Sequence, residues 1–420
     1  MCWNRYRLSV CFTLVALVGI TNLDAHAKEA KKTVEENSEN SKHPYPLAVT
    51  GPKPKPIDPP SEEEILEGIT RGVDYLLNNQ RKNGAWGGPQ RTKSLNIYAP
   101  VPGAHLAFRM GATSLAANSL LEARELYTGE RRQQIEAALD KALAWYLDQG
   151  DDLRRADGTA IYNVWGHAYG CYALVKLHDR AVGDEELQAK IKKLVEYQVD
   201  RLERYTFING GWGYYDFDHH TRVPAGSPTS FTTGTCLLGL KEAEKLGVKY
   251  PEKLAQKAID SILRQRLPDF SYAYGEYLMM MPRYGINRPA GSLGRSQVCN
   301  LALRKYGREE ITDEVLKTWL DRLYARNGWL SIGRKYPVPH ESHFGVAGYF
   351  YYYGHFYAAM CIDELPLEER PHYQSHLAHI LLPLQEKDGS WWDYPLYDYH
   401  YAAGTGMAVS SLLRCQKTAE

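Results

Sequence analysis

Gln80-Arg81-Lys82-Asn83-Gly84-Ala85-Trp86 and Gln385-Glu386-Lys387-Asp388-Gly389-Ser390-Trp391 follow one pattern, Q-x-x-x-G-x-W, at opposite ends of the chain. Shorter versions lie between them: Asp157-Gly158, Asn209-Gly210-Gly211-Trp212 and Asn327-Gly328-Trp329. A recurrence of this kind is the signature of a repeat architecture and takes precedence over any single motif. After each segment comes a loop and then a stretch rich in small residues. Examples are Ala112-Thr113-Ser114-Leu115-Ala116, Gly170-Cys171-Tyr172-Ala173-Leu174 and Thr233-Gly234-Thr235-Cys236-Leu237. Val298 to Ala302, Tyr357 to Cys361 and Gly406 to Val409 continue the series. Amphipathic stretches alternate with these, such as Ile135 to Trp145 and Leu187 to Tyr197, with apolar residues three and four apart.

The pattern predicts six helical hairpins at a spacing of about 50 residues. In the fourth, Phe270-Ser271-Tyr272-Ala273-Tyr274-Gly275 replaces the glycine turn. Small residues let the second helix of each hairpin pack closely. Cys171, Cys236, Cys299 and Cys361 recur in those helices and read as small apolar packing residues.

The Q-x-x-x-G-x-W segments, each followed by a small-residue helix, resemble the QW repeats of the squalene–hopene cyclase and protein prenyltransferase superfamily. The resemblance spans most of residues 61 to 415. It implies an all-α fold, a single α/α toroid of six inner helices around a central cavity and six outer helices around them. It also implies that Gln80, Trp86, Gln385 and Trp391 serve stability. Gln can satisfy orphan groups at a helix end, Gly permits a turn closed to other residues, and Trp covers apolar area.

The chemistry of the superfamily does not follow as readily. Cyclisation there needs a D-x-D-D acid motif, and the nearest match is Asp216-Phe217-Asp218-His219. Prenyl transfer needs a D-x-C zinc motif, which is absent, and His400 is off the expected register. Complement-like thioester domains need G-C-G-E-Q, which Gly170-Cys171-Tyr172-Ala173 does not supply. Whether the chain is an enzyme stays open.

The ends of the chain bound its setting. Arg5 and Arg7, the apolar run from Leu8 to Ile20 and Ala25-His26-Ala27 read as a signal peptide over 1–27. Residues 28–60, rich in charge and proline, read as a disordered linker. The toroid then spans 61–417. The expectation is an exported protein, periplasmic or extracellular, with no transmembrane segment in the mature chain. Fifty basic and fifty acidic residues balance and are scattered, which argues against a nucleic-acid partner. Two of the seven cysteines fall in the signal, and the odd remainder is not a disulfide framework.

The cavity mouth should collect residues from the N-terminal ends of the inner helices. Tyrosines are dense there, in a chain with 31 Tyr and 9 Phe. The ligand-binding candidates are Trp165, Tyr169, Arg295, Tyr352, Tyr353 and Tyr401. Tyrosine offers an apolar face and a polar tip, which suits a sterol-like or polyprenyl ligand with a polar end, and equally a sugar. Arg295 could meet an anionic group. His167, His355 and His400 recur near inner-helix starts, and convergence would make them acid–base groups. With Asp398 and Tyr399 they form the catalytic candidates. No cofactor and no metal is implied. His340-Glu341-Ser342-His343 lacks the i,i+4 spacing that puts two histidines on one helical face. Asp216, Asp218, His219 and His220 read as a polar loop. Three functions stay open: a terpenoid or other hydrophobic-ligand protein, a carbohydrate-active lyase, hydrolase or binder, and a non-catalytic scaffold with a protein partner.

Overall fold

The computed structural model describes residues 43–93, 101–216 and 223–416. The segments read from sequence as signal peptide and as linker up to residue 42, and Asp218, His219 and His220, lie outside the described residues. The chain divides into two units, Met1–Thr50 and Gly51–Glu420. In the first, Pro46–Ala48 form a 3-10 turn, and Thr50 Oγ1 donates to the Pro46 carbonyl at 2.8 Å. Everything below concerns the second.

Residues 51–60 carry no regular structure, and Lys53 Nζ meets Asp321 at 2.9 Å. Helices follow. We label them α1 (Glu62–Asn78), α2 (His105–Ala123), α3 (Gly129–Gln149), α4 (Asn163–Arg180), α5 (Glu185–Arg204), α6 (Ser230–Ala243) and α7 (Glu252–Gln265). Next are α8 (Leu293–Lys305), α9 (Asp313–Ala325), α10 (Asn327–Ser331), α11 (Tyr351–Ile362), α12 (Arg370–Leu381) and α13 (Tyr399–Leu413). None is long and apolar enough to cross a membrane.

Two kinds of helix alternate. In α1 a capping box of Ser61 and Glu64 satisfies orphan amides, and Ile65, Ile69, Val73 and Leu76 line one buried face. In α7 the buried set is Leu254, Ala255, Ala258, Ile259 and Ile262. By contrast α2 is buried without a break from Met110 to Leu121, and α6 from Ser230 to Leu240. Helices of the second kind, α2, α4, α6, α8, α11 and α13, pack each against the next, and α13 packs back on α2. The first kind lies outside: α3 on α2, α5 on α4, α7 on α6, α9 on α8, α12 on α11, α1 on α13. The arrangement is an α/α toroid, as the resemblance implies. Inner helices meet backbone to backbone. A β-carbon on Gly406 of α13 would stand 2.6 Å from the Leu115 carbonyl of α2, and one on Gly354 of α11 2.7 Å from Gly294 Cα of α8.

The Q-x-x-x-G-x-W segments build the turn between the two kinds. Gln80 Nε2 donates to the carbonyls of Gly84, 2.9 Å, and Ala138 on α3, 2.8 Å. Gln385 Nε2 does the same to Gly389, 2.9 Å, and Gly68 on α1, 3.0 Å. The indoles of Trp86, Trp212 and Trp391 donate to the carbonyls of Leu76, Leu202 and Leu381, each ten residues back near the end of the preceding outer helix. Their backbone amides donate to Thr113, Thr233 and Thr405 of the inner helices, all at 3.0 Å. In the fourth repeat Phe270 takes the glycine position at φ 59°, and Tyr272 takes the tryptophan position, its amide on Ser292 Oγ at 3.2 Å. The fifth differs. Asn327-Gly328-Trp329 forms the short helix α10, and Trp329 is 41% exposed.

Cys171, Cys236, Cys299, Cys361 and Cys415 are free and buried, and burial pushes the Cys171 and Cys299 thiols up to about 12. They are inert packing residues at neutral pH.

The turns give a graded stability test. Gly84 and Gly389 both have φ 89°, and a β-carbon there would stand 2.0 and 2.3 Å from the carbonyls of Lys141 and Arg71. Gly129 has φ 60° with nothing within 4 Å. Gly129→Ala should therefore cost about 1–2 kcal/mol, the left-handed penalty alone. Gly84→Ala and Gly389→Ala should each cost clearly more, beyond about 3 kcal/mol, because backbone must also move. Chemical denaturation of the three variants measures this; equal losses would refute a steric role for the neighbouring helix.

Candidate functional site

The inner helices leave a cavity of about 210 Å³ at their N-terminal ends. That exceeds the roughly 150 Å³ apolar cavity known to hold benzene. Its walls come from α2 (Phe108, Gly111, Leu115), α4 (Trp165, Tyr169), α6 (Phe231), the start of α11 (Phe350, Tyr352, Tyr353) and α13 (Tyr399, His400, Met407). Tyr162, Tyr214, Tyr349 and the loop residues Asp393, Tyr394 and Leu396 complete it.

The rings support one another. Tyr214 stacks on Trp165 with centroids 5.3 Å apart, and Phe231 meets Phe350 edge-on at 4.9 Å. Edge and offset contacts of this kind hold ring planes in place beyond their area burial. Below them Tyr353 donates to the Phe231 carbonyl at 2.9 Å, and Tyr357 to Thr235 at 3.1 Å. Near the C-terminal ends of the inner helices Glu122 of α2 holds Arg414 at 2.8 Å and pairs with Lys176. Burial pushes the Glu122 carboxyl up, yet these two cations outweigh it and keep it well below the usual range.

The three histidines do not converge. His167 is fully buried, and its Nδ1 donates to Gln198 of α5 at 2.6 Å, away from the cavity wall. His355 donates from Nδ1 to the Tyr351 carbonyl at 2.7 Å and accepts from Asn327 at 2.8 Å; it too is outside the wall. Only His400 lines the cavity. Burial lowers all three to about 4, so each is neutral at pH 7. His400 Nδ1 accepts from the Leu396 amide at 3.2 Å. That contact places the remaining proton on Nε2, which is buried and has no partner among the described residues.

The other candidates separate likewise. Trp165, Tyr169, Tyr352, Tyr353 and Tyr399 line the cavity; Arg295, Asp398 and Tyr401 do not. Arg295 is completely buried behind Phe350. It donates to the carbonyls of Gly291, Tyr272 and Ile286 and lies over the rings of Tyr274 and Phe350. Its charge serves the loop before α8, and burial lowers it to about 10. Asp398 faces Arg81 at 3.7 Å, and Tyr401 packs on Trp392. In the two loop clusters, Asp216 pairs with Arg155, and His340 donates to Gly345 and meets Tyr349.

Sequence reading missed Asp393. This residue is 8% exposed, lines the cavity, and accepts the Tyr352 amide on Oδ2 at 2.9 Å. Burial pushes its carboxyl from 3.8 up to about 7, against the pull of backbone amides and Arg334. It is thus able to give or take a proton near neutral pH, as a general acid or base must. The available signal was its place two residues after the repeat tryptophan, an acid amid Trp391-Trp392 and Tyr394.

No protein-family model matches the chain, and no curated protein matches it. Among solved structures, the chain is similar to the type II terpene cyclase MstE from Scytonema. They share 12% identity over 85% of this chain and 99% of that one, at a TM-score of 0.46. It is similar to an unsaturated glucuronyl hydrolase mutant from Streptococcus agalactiae, at 14% identity over 87% and 94%, TM-score 0.46. It is also similar to an inactive α-1,6-mannanase variant of Salegentibacter in complex with α-1,6-mannotetrose, at 11% identity over 83% and 98%, TM-score 0.44.

The buried carboxyl fixes a pH dependence. A folded pKa raised from 3.8 to about 7 means the native state holds a proton that the unfolded state has lost between those values. The stability from Asp393 is full below about pH 4 and is lost as pH rises to about 7. The three histidines, lowered to about 4, act in the opposite sense between about pH 4 and 6.5. Relative to the native chain, Asp393→Asn should therefore gain melting temperature progressively from about pH 4 to pH 7, and the gap should be level above that. A pH-independent gap in calorimetry would show that the carboxyl is not buried in its neutral form.

Proposed function

We propose that the chain is an exported toroid of six inner and six outer helices whose cavity binds a terpenoid or other largely hydrophobic ligand. One observation carries this reading: among the described residues the wall is almost wholly aromatic and aliphatic, with one carboxylate, one imidazole and neither Lys nor Arg. Burying apolar ligand surface against such a wall is favourable by about 25 cal/mol per Å². Pockets that place a few polar groups in an apolar lining are the usual form of small-molecule sites.

The other readings fit less well. Glycoside hydrolysis by acid and partner needs two carboxylates across the bond, and Asp393 is the one carboxylate in the lining among the described residues. A scaffold would be expected to fill its lumen with side chains, and the side chains here leave about 210 Å³. The apolar run from Leu8 to Ile20 and Ala25-His26-Ala27 support export.

Asp393 supports a catalytic version as well. An acid near neutral pKa beside ring faces, which favour positive charge, has the components for proton-initiated chemistry on an alkene. Incubation of polyprenyl substrates with the native chain and Asp393→Asn, followed by product analysis, tests it. Binding without turnover would leave a carrier.

Solvent extraction of purified protein with mass spectrometry should recover a hydrophobic ligand, or added isoprenoids should bind. Gly111 offers a selective block. It lies on the wall of α2, and a β-carbon there meets only Tyr169, at 3.9 Å. Gly111→Leu should fill the lumen and weaken binding at least about tenfold. Its melting temperature should hold or rise, since Gly in a helix interior costs about 1 kcal/mol. Undiminished binding in this variant would place the ligand elsewhere.

A further inference from the structure

The wall is not uniform. The α2, α4 and α6 side presents Phe108, Trp165 and Phe231, while the facing side, from 393 to 400, presents Asp393 and His400. His400 holds a proton on Nε2 that no atom of the described residues accepts. A buried donor left unpaired costs about 1–3 kcal/mol, so a group able to accept from it is strongly favoured at this position. Tyr352, adjoining Asp393 through its amide, carries a second buried polar atom without a partner, its hydroxyl. Three cations lie near this side but outside the lining, and one of them, Arg334, has a buried Nε with no partner among the described residues. Lys335 pairs with Glu386, Lys93 lies over Trp392, and Arg334 lies over Tyr351.

We infer that the ligand is a neutral, oxygen-bearing isoprenoid whose oxygen sits at the Asp393–His400 side, and that phosphorylated isoprenoids are excluded. The inference rests on the hydrophobic-ligand reading above and narrows it to a class. A hydroxyl oxygen can accept from His400 Nε2 and donate to the Asp393 carboxylate. A pure hydrocarbon leaves the imidazole donor unpaired. A diphosphate brings several negative charges to a wall that has, among the described residues, no cation and one carboxyl, and burying unpaired charge is prohibitive.

Three probes of one skeleton test this with the full chain: farnesene, farnesol and farnesyl diphosphate, followed by quenching of cavity tryptophan fluorescence. Farnesol should bind about three- to tenfold tighter than farnesene, the worth of one or two hydrogen bonds. Farnesyl diphosphate should bind weakest. His400→Phe and Tyr352→Phe should each reduce the ratio of farnesol to farnesene affinity, both measured on the same variant. His400→Gln, which keeps a donor near Nε2, should restore part of it. Melting curves identify any variant that fails to fold, and the second variant then carries the test. Equal binding of farnesol and farnesene, or tightest binding of the diphosphate, overturns the inference and leaves the hydrophobic cavity standing. Failure of all three to bind overturns the hydrophobic-ligand reading itself.

Discussion

The ring stays shut because its last turn is docked on its first helix. Gln385 reaches Gly68 of α1, Gly389 lies directly under the Arg71 carbonyl, and Arg71 in turn donates to the Glu386 carbonyl at 2.8 Å. Each hydrogen bond is worth only about 0.5–1.5 kcal/mol net. Their position matters more than their sum, since they join residues far apart in sequence and close a loop of nearly the whole chain. The same turn is used within the chain, where Gln80 and Gly84 dock on α3 and Gly210 docks under Lys257 of α7. One local geometry therefore spaces the outer helices and seals the circle.

The inner helices respond to that constraint with small residues. Glycines at crossings such as Gly354 against Gly294 draw backbones together, and the aromatic side chains are then crowded toward the N-terminal ends. There the rings are too large to fill the space without a void. Toward the C-terminal ends Tyr353 and Tyr357 close the interior through hydrogen bonds to α6, and the Glu122, Lys176 and Arg414 cluster ties α2, α4 and the end of α13. The cavity is thus a consequence of where bulky and small residues fall on the same helices.

The fold was legible because its signal is local. A Gly forced to positive φ, a Trp that reaches back to a helix end and a Gln that caps two carbonyls need one another at fixed spacing. The spacing alone was not sufficient: Asn327-Gly328-Trp329 lacks the Gln and becomes a helix, while Trp212 also lacks it and keeps the turn through Leu202 and Thr233. Facing within the inner helices was not legible. Such helices are buried on every side, so hydrophobic periodicity carries no information on which residue meets the lumen. His167 and His400 occupy similar places near inner-helix starts, yet Gln198 draws one outward and the Leu396 amide holds the other in the wall. Those partners come from distant or irregular segments that no spacing announces.

Asp393 joins the two levels. Its carboxylate accepts the amide of Tyr352, one of the orphan donors in the first turn of α11. It therefore acts as a helix cap supplied from another segment, placed by the Trp391 turn that also closes the ring. A cap of this kind would ordinarily be ionised and exposed. Here it is buried among rings, so its proton affinity rises and a structural contact becomes a group with chemistry near neutral pH. Loss of binding in an Asp393 variant is consequently ambiguous by itself, because the start of α11 carries Phe350, Tyr352 and Tyr353 into the same wall. His400 is the cleaner handle. Its Nε2 has no partner among the described residues, so replacing it removes no hydrogen bond that holds the fold.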